Sequence, residues 1–462
     1  MAVAPQLPRP RSDHGVGADV LRRQENRESS ARTYARSLPI VPVRASGLVV
    51  EGADGRSYVD CLAGAGTLAL GHNHPVVVAA IRRVLDAGAP LHVLDMATVE
   101  KDDFTTALLD TMPGGPDGWR VHFCGPTGAD AVEAAIKLTR TATGRHNLFA
   151  FTGGYHGMTA GALAATGNLA VKAPLGATAL EVTRLPFPYA YRCPFGIGGD
   201  MGAEIAARYA RRLLTDSRSG VLPPAAMLLE PVQGEGGVVP APDGWLRQMR
   251  ALTAEHGIPL VVDEVQTGVG RTGAFWAVQH SGVRPDVLVA SKAIGGSLPL
   301  AVLVYREELD TWAPGAHTGT FRGNQLAMAA GAATLRYVRE HRLDLRAAAV
   351  GERIVRELRR VQADRPCVGE VRGRGLMIGV EIVQPDGEPD ELGARPTAPA
   401  LAGAVRAECL ARGLLVELGG RDESVVRLLP PLIITDEQAD SVLSRLADAV
   451  AAAERAHPGA AR

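Results

Sequence analysis

The sequence predicts an α/β fold: a mainly parallel central sheet with helices on both faces, followed by a smaller α+β domain. Three observations carry this. Strand-like runs such as PLVVDEV, DVLVAS and LAVLVY alternate with helix-patterned stretches along the middle of the chain. Those runs are apolar throughout rather than at every second residue, as a strand covered on both faces requires. From about residue 335 the pattern changes to Arg/Ala-rich helices with the strands GLMIGVEIV and VVRLLPPL.

Taken in order, residues 1–15 read as a disordered Pro/Arg tail and residues 16–90 as an N-terminal segment contributing to the small domain. Within that segment GLVVEGADGRSYVDCL is expected to be a β-hairpin, because Val and Tyr alternate around the Asp54-Gly55 turn signal. Residues 91–335 form the large domain: strand WRVHFC, helix ADAVEAAIKLTRTA, strand NLFAFTG, strand MLLEPV, a helix through WLRQMRALTAEHG, then the three strands already quoted. Residues 336–456 make the C-terminal small domain, with EIVQPDGEPDELGARPTAP as an exposed insertion, and 457–462 a polar tail.

Composition narrows the function. The chain has 462 residues, 46% of them hydrophobic, enough for a large core and more than one domain. A net charge of −1 with both signs interspersed gives no basic face for nucleic acid, so small molecules are the expected partners. The five cysteines form no C-x-x-C pair, which argues against a disulfide framework or a zinc site and fits a reducing cytoplasm. No stretch approaches the roughly eighteen apolar residues of a membrane span, and the N-terminus lacks the apolar core of a secretion signal.

The chemistry is marked by a lysine. The 49 basic residues divide into only four lysines (Lys101, Lys137, Lys172 and Lys292), the remainder being arginine. The first three read as solvated surface. Lys292 instead follows the apolar run VLVAS and precedes two glycines. A desolvated lysine loses its proton and becomes an amine nucleophile toward aldehydes, which arginine cannot do. Alone, Lys292 is equally a capped residue at a strand end. Other chemical residues sit at strand ends, where open α/β sheets collect ligands: Asp263 closes PLVVD, Glu230 closes MLLE, and GPTGADAVEAAIK follows VHFC as a Gly-rich turn entering a helix. Such a turn offers free N–H groups and the helix dipole to a phosphate, though alone it also serves to open a buried helix. It matches neither a Walker loop nor G-x-G-x-x-G. FTGGYHGMT adds Tyr155 and His156, on which a flat ring can stack. Nucleophilic lysine, strand-end carboxylate, anion cup and aromatic plate together suit a phosphorylated pyridine aldehyde, with the carboxylate keeping the ring nitrogen protonated.

DEVQTGVGRTG, SKAIGGSLPLA, EPVQGEGG, GTFRGNQLA and GPTGADAVEAA, spread over about residues 30–450, resemble the class III aminotransferases that use pyridoxal 5'-phosphate. RQENRESSARTYAR, GAGTLALGHNHP and YRCPFG look like the diaminobutyrate–2-oxoglutarate branch. The resemblance implies the pyridoxal-phosphate fold type I and movement of an amino group, the 4-amino group of L-2,4-diaminobutyrate, to or from 2-oxoglutarate. It implies that Lys292 is the Schiff-base lysine, Asp263 the partner of the ring nitrogen, Gln266 the neighbour of the ring hydroxyl, Val265 the residue under the ring, and Tyr155 the stacking aromatic with His156 beside it. Thr127, Gly128 and Ala129 match the phosphate cup. Thr320 matches a threonine that reaches the phosphate from the neighbouring subunit, which makes a homodimer with shared sites. Glu235 and Arg427 resemble a gated pair that is covered for an amine substrate and opened for a dicarboxylate; the alternative for Arg427 is a brace of the C-terminal domain. Glu230 reads as structural support, and no metal is implied. Ser297 departs from the family, which shows a third glycine there. It leaves open a second reading, in which the same scaffold diverts the carbanion to elimination, decarboxylation or carbon–carbon bond formation.

Overall fold

The computed structural model describes residues 14–176 and 180–457. The expected tails at 1–15 and 457–462 therefore lie mostly outside the described residues; His14 already begins a helix, His14–Arg27, and His457 caps the last one, Asp436–Ala456.

A seven-stranded sheet organises the middle of the chain, in the order Trp119–Phe123, Val302–Arg306, Val287–Ala290, Leu260–Asp263, Ala226–Leu229, Leu148–Phe151, Val182–Leu185. Strand Val302–Arg306 runs antiparallel to both its neighbours, and the other pairings are parallel. Its strands are buried on both faces, and the alternation divides their side chains between two cores. Val261, Val287, Val289, Leu303 and Leu228 pack with helix Gly128–Thr143 through Ala131, Val132, Ala135 and Leu138. Leu260, Val262, Leu288, Val302 and Val304 point the other way, into a core shared with helices Val99–Leu109, Asp243–Glu255 and Gln325–Glu340. This is why the strands read as continuous apolar runs.

The hairpin forms as the Asp54-Gly55 signal predicts: Val49–Gly52 pairs with Ser57–Asp60, and Gly55 takes a φ of 78°. Its second strand pairs in parallel with Leu414–Leu415, which ties the N-terminal segment to the C-terminal part of the chain. That part carries a four-stranded antiparallel sheet, Val368–Arg374, Met377–Ile382, Val425–Leu428 and Glu417–Gly419. The stretch read as an exposed insertion begins inside it: Glu381, Ile382 and Val383 are buried, and only the turn that follows is largely exposed. Among the described residues no helix is long and apolar enough to cross a membrane.

Candidate active site

The strand that reverses direction leaves the carboxyl ends of its six companions on one edge of the large sheet, and the candidate residues follow those ends. Asp263 is the last residue of Leu260–Asp263, in register with Val289 of the strand that leads to Lys292. It is 5% exposed; its Oδ2 lies 2.8 Å from Nδ1 of His156 and its Oδ1 accepts the Val265 amide at 3.1 Å. His156 thus turns to Asp263 and fixes its carboxylate, while Tyr155 beside it stays half-buried. Glu230 joins them as support: Oε2 accepts the Tyr155 amide at 2.9 Å and Oε1 the Gly234 amide at 3.0 Å, and burial pushes its carboxyl up to about 7.

Lys292 starts a short turn after Val287–Ala290 with φ 51°, in the left-handed region that a non-glycine residue occupies only under constraint. Ser291 braces the turn by donating to the Leu300 carbonyl at 2.8 Å. The amine makes no hydrogen bond or ion pair among the described residues. The other three lysines are not simply solvated, as the sequence suggests: each donates to a backbone carbonyl, Lys101 to Asp95 and Lys172 to Ala164 at 2.9 Å, and Lys137 to Ala316. Burial lowers the Lys292 amine below the ordinary lysine range; Arg427 works in the same direction, against Glu235, Glu417 and Asp263. Among the described residues Lys292 is therefore the one lysine without a bonding partner; burial biases it toward the free amine, as it does the carbonyl-bonded Lys101 and Lys172.

Facing these residues is the start of helix Gly128–Thr143. Thr127 caps it by accepting the Asp130 amide at 3.3 Å, and the Gly128 and Ala129 N–H groups have no acceptor among the described residues. A Cβ on Gly128 would meet Cγ1 of Val265 at 3.0 Å, so the cup and Val265 border the same space. Gln266 donates to the Ala65 carbonyl at 3.0 Å, while its buried Oε1 has no hydrogen-bond partner among the described residues. At the opposite end, Arg427 is wholly buried and places Nη2 2.8 Å from Glu235 Oε1 and 2.7 Å from Glu417 Oε2, leaving Nε and Nη1 without hydrogen bonds. Burial alone would lower this guanidinium; the two carboxylates outweigh it and hold it above its usual range.

The unpaired groups fit a phosphorylated pyridine aldehyde one by one: free N–H groups for a phosphate, an orphaned Oε1 for a ring hydroxyl, a carboxylate with acceptor capacity left, and an unbonded amine. The comparisons agree in kind. The family model for class III aminotransferases matches residues 30–450. The chain is 55% identical over 430 residues to a diaminobutyrate–2-oxoglutarate aminotransferase of Rhizobium meliloti, covering 93% of this chain and 92% of that protein. It is 49% identical to an enzyme of the same name from Haemophilus influenzae, covering 93% and 94%.

The chain belongs to the class III aminotransferases.

Solved structures agree: an (S)-enantioselective ω-transaminase of Thermomicrobium roseum superposes with a TM-score of 0.83 at 28% identity, over 94% of this chain and 98% of that one. A PLP-bound amine transaminase from an uncultivated Pseudomonas species gives 0.81 at 29% identity, over 92% and 97%. Within this aminotransferase, Thr320 is the one candidate not gathered into the pocket: it is exposed, its carbonyl accepts from His92 Nε2 at 2.9 Å, and its hydroxyl bonds nothing among the described residues. Ser297 is exposed too, with a φ of 79°, the conformation that accounts for the family's glycine. Sequence reasoning missed two residues, Tyr34 and Glu417. The Tyr34 hydroxyl donates to Glu417 Oε1 at 2.6 Å, and Glu417 stands directly opposite Arg427 in the antiparallel register.

Proposed function

We propose that this enzyme moves the 4-amino group of L-2,4-diaminobutyrate to 2-oxoglutarate, or the reverse, with pyridoxal 5'-phosphate on Lys292. The observation that carries the proposal is the pairing of an unbonded, desolvated Lys292 with a buried Arg427 whose covering carboxylate, Glu235, remains one-third exposed. The names of the 55% and 49% identical relatives support the same donor and acceptor, and they favour transamination over a diverted carbanion.

Pyridoxal phosphate, when bound, supplies an electrophilic carbon and an electron-withdrawing ring that tolerates negative charge at the carbon bearing the transferred amine. The protein does the rest. Gly128 and Ala129 N–H groups with Thr127 would hold the phosphate; Val265 and Tyr155 would take the ring faces; Gln266 Oε1 would accept from the ring hydroxyl; Asp263, fixed by His156, would keep the ring nitrogen protonated. Lys292 would hold the aldehyde carbon through Nζ and exchange protons with the substrate, a role that its lowered pKa suits. Glu235 covers Arg427 while an amine donor is in place and swings off it to admit a dicarboxylate, which a guanidinium holds by two parallel hydrogen bonds. In this reading the enzyme is a homodimer in which the exposed Thr320 of each chain completes the phosphate site of the other. The domain limits 16–90, 91–335 and 336–456 belong to the same proposal, as does a cytoplasmic setting, which the five free cysteines support.

The test is a panel of diamines and ω-amino acids incubated with purified holoenzyme and 2-oxoglutarate, with glutamate read by mass spectrometry. L-2,4-diaminobutyrate should give the highest kcat/KM. Absence of glutamate with every donor would refute transamination.

A further inference from the structure

The far end of the pocket carries more negative charge than a gate needs. One carboxylate neutralises Arg427; the structure supplies two, both on Nη2. They are not equivalent. Glu235 lies in the loop at 234–238 with its side chain 34% exposed, free to turn away. Glu417 is 11% exposed, fixed across the strand pair from Arg427 and pinned by Tyr34. A second buried carboxylate on an arginine already neutralised costs desolvation and returns little. Its Oε2 is buried 2.7 Å from Nη2 but outside hydrogen-bond geometry, so its acceptor capacity is not taken up by a donor among the described residues. The loop that carries Glu235 brings this end to the residues around Lys292: a Cβ on Gly234 would meet Gln266 Oε1, and the Gly234 amide donates to Glu230 at 3.0 Å.

The head of a diamino acid carries an α-ammonium group, and Glu417, a buried carboxylate at this end of the site, is its complement. We infer that Glu417, positioned by Tyr34, is the specificity residue that receives the α-ammonium group of the donor while the terminal amine meets Lys292. This rests on the proposed use of a diamino acid. It also separates the two half-reactions: Glu235 leaves for the dicarboxylate acceptor, and Glu417 stays. Tyr34 is 47% exposed, but its hydroxyl end lies 2.6 Å from Glu417, and desolvation there and then the Glu417 charge push the hydroxyl well above the usual range, so it remains a donor.

The experiment compares donors that differ only in the α-ammonium: 2,4-diaminobutyrate against 4-aminobutyrate, and ornithine against 5-aminopentanoate. Stopped-flow amine half-reactions of holoenzyme give kcat/KM for each. Wild type should prefer the diamino member of a pair, and E417Q should lower that preference by about ten- to a hundredfold, the worth of a charge-assisted hydrogen bond. Y34F, which keeps the charge count, should raise KM for the diamino member severalfold with kcat retained, and it carries the test alone if E417Q fails to fold. Equal losses for both members of a pair in folded E417Q, or an unchanged KM in Y34F, would overturn the inference. Preference for ornithine over 5-aminopentanoate in an enzyme that ignores 2,4-diaminobutyrate would support the inference while refuting the proposed donor. Turnover of 2,4-diaminobutyrate with a preference insensitive to both variants would do the opposite.

Discussion

Replacing Arg427 by alanine separates the two halves of the catalytic cycle. At 2.8 Å the contact between Nη2 and Glu235 is worth roughly 6 kcal/mol of gross Coulomb attraction at an effective dielectric constant of about 20. Desolvation of a wholly buried guanidinium removes much of that, and truncating one partner of such a pair costs about 2–5 kcal/mol. Under the proposed gate an acceptor carboxylate takes the place Glu235 vacates, so it stands to lose the same amount. Conversion of the amine-loaded enzyme by 2-oxoglutarate should therefore slow by about thirty- to four-thousandfold in kcat/KM. The donor half-reaction keeps Glu235 and Glu417 to attract an ammonium group and should fall by no more than about tenfold. Arg427→Lys should sit between wild type and alanine, because an ammonium keeps the charge and loses the fork. Stopped-flow absorbance of each half-reaction, run separately, gives both numbers. Equal slowing of both halves, or an acceptor half-reaction within about threefold of wild type, would refute the clamp and leave Arg427 as a brace of the C-terminal sheet.

Asp263→Asn should retain cofactor and lose turnover by about a hundredfold or more, as expected when a charge that stabilises the transition state is removed; near-normal activity would exclude Asp263 as the ring-nitrogen partner. Glu264, fully packed and bonded by Thr267 and by the Ala277 and Val278 amides, has its carboxyl pushed by burial from 4.5 up to about 7. A carboxyl raised in this way binds its proton more tightly in the folded chain, so its contribution is present below pH 4.5 and is lost as pH rises through about 7. Denaturation of Glu264→Gln should accordingly lack a decline of roughly 3 kcal/mol that wild type shows over that window, whatever its absolute stability; parallel pH profiles would contradict this. Ser297→Gly should raise stability by about 0.5–1 kcal/mol, since relief of a left-handed serine exceeds the added chain entropy, and a lower Tm would count against that strain.

What the sequence made legible was what local pattern can encode. Lys292 stood out because lysine is scarce, and Asp263 and Glu230 because apolar strands end at them. The cup was readable because a glycine turn must precede the helix it opens. Strand Val302–Arg306 was readable as a strand but not in direction, since an apolar run buried on both faces looks the same either way round. Glu417 was not readable: it sits in a three-residue strand in VELGG, and its meaning comes from a partner ten residues on in the antiparallel register. Tyr34 lies 383 residues from the carboxylate it bonds, a distance closed by the parallel pairing of the N-terminal hairpin with Leu414–Leu415 and by the packing of Leu38 and Ile40 near Leu415. The insertion misled for a related reason, because its polar composition hid that Glu381 is a buried charge met by Arg372 and Arg192.

The central claim is that Lys292 carries the cofactor, and borohydride reduction of the holoenzyme followed by peptide mapping tests it most directly. A pyridoxyl adduct is predicted on the peptide containing Lys292 and nowhere else. An adduct on Lys101, Lys137 or Lys172 with Lys292 unmodified would contradict the account.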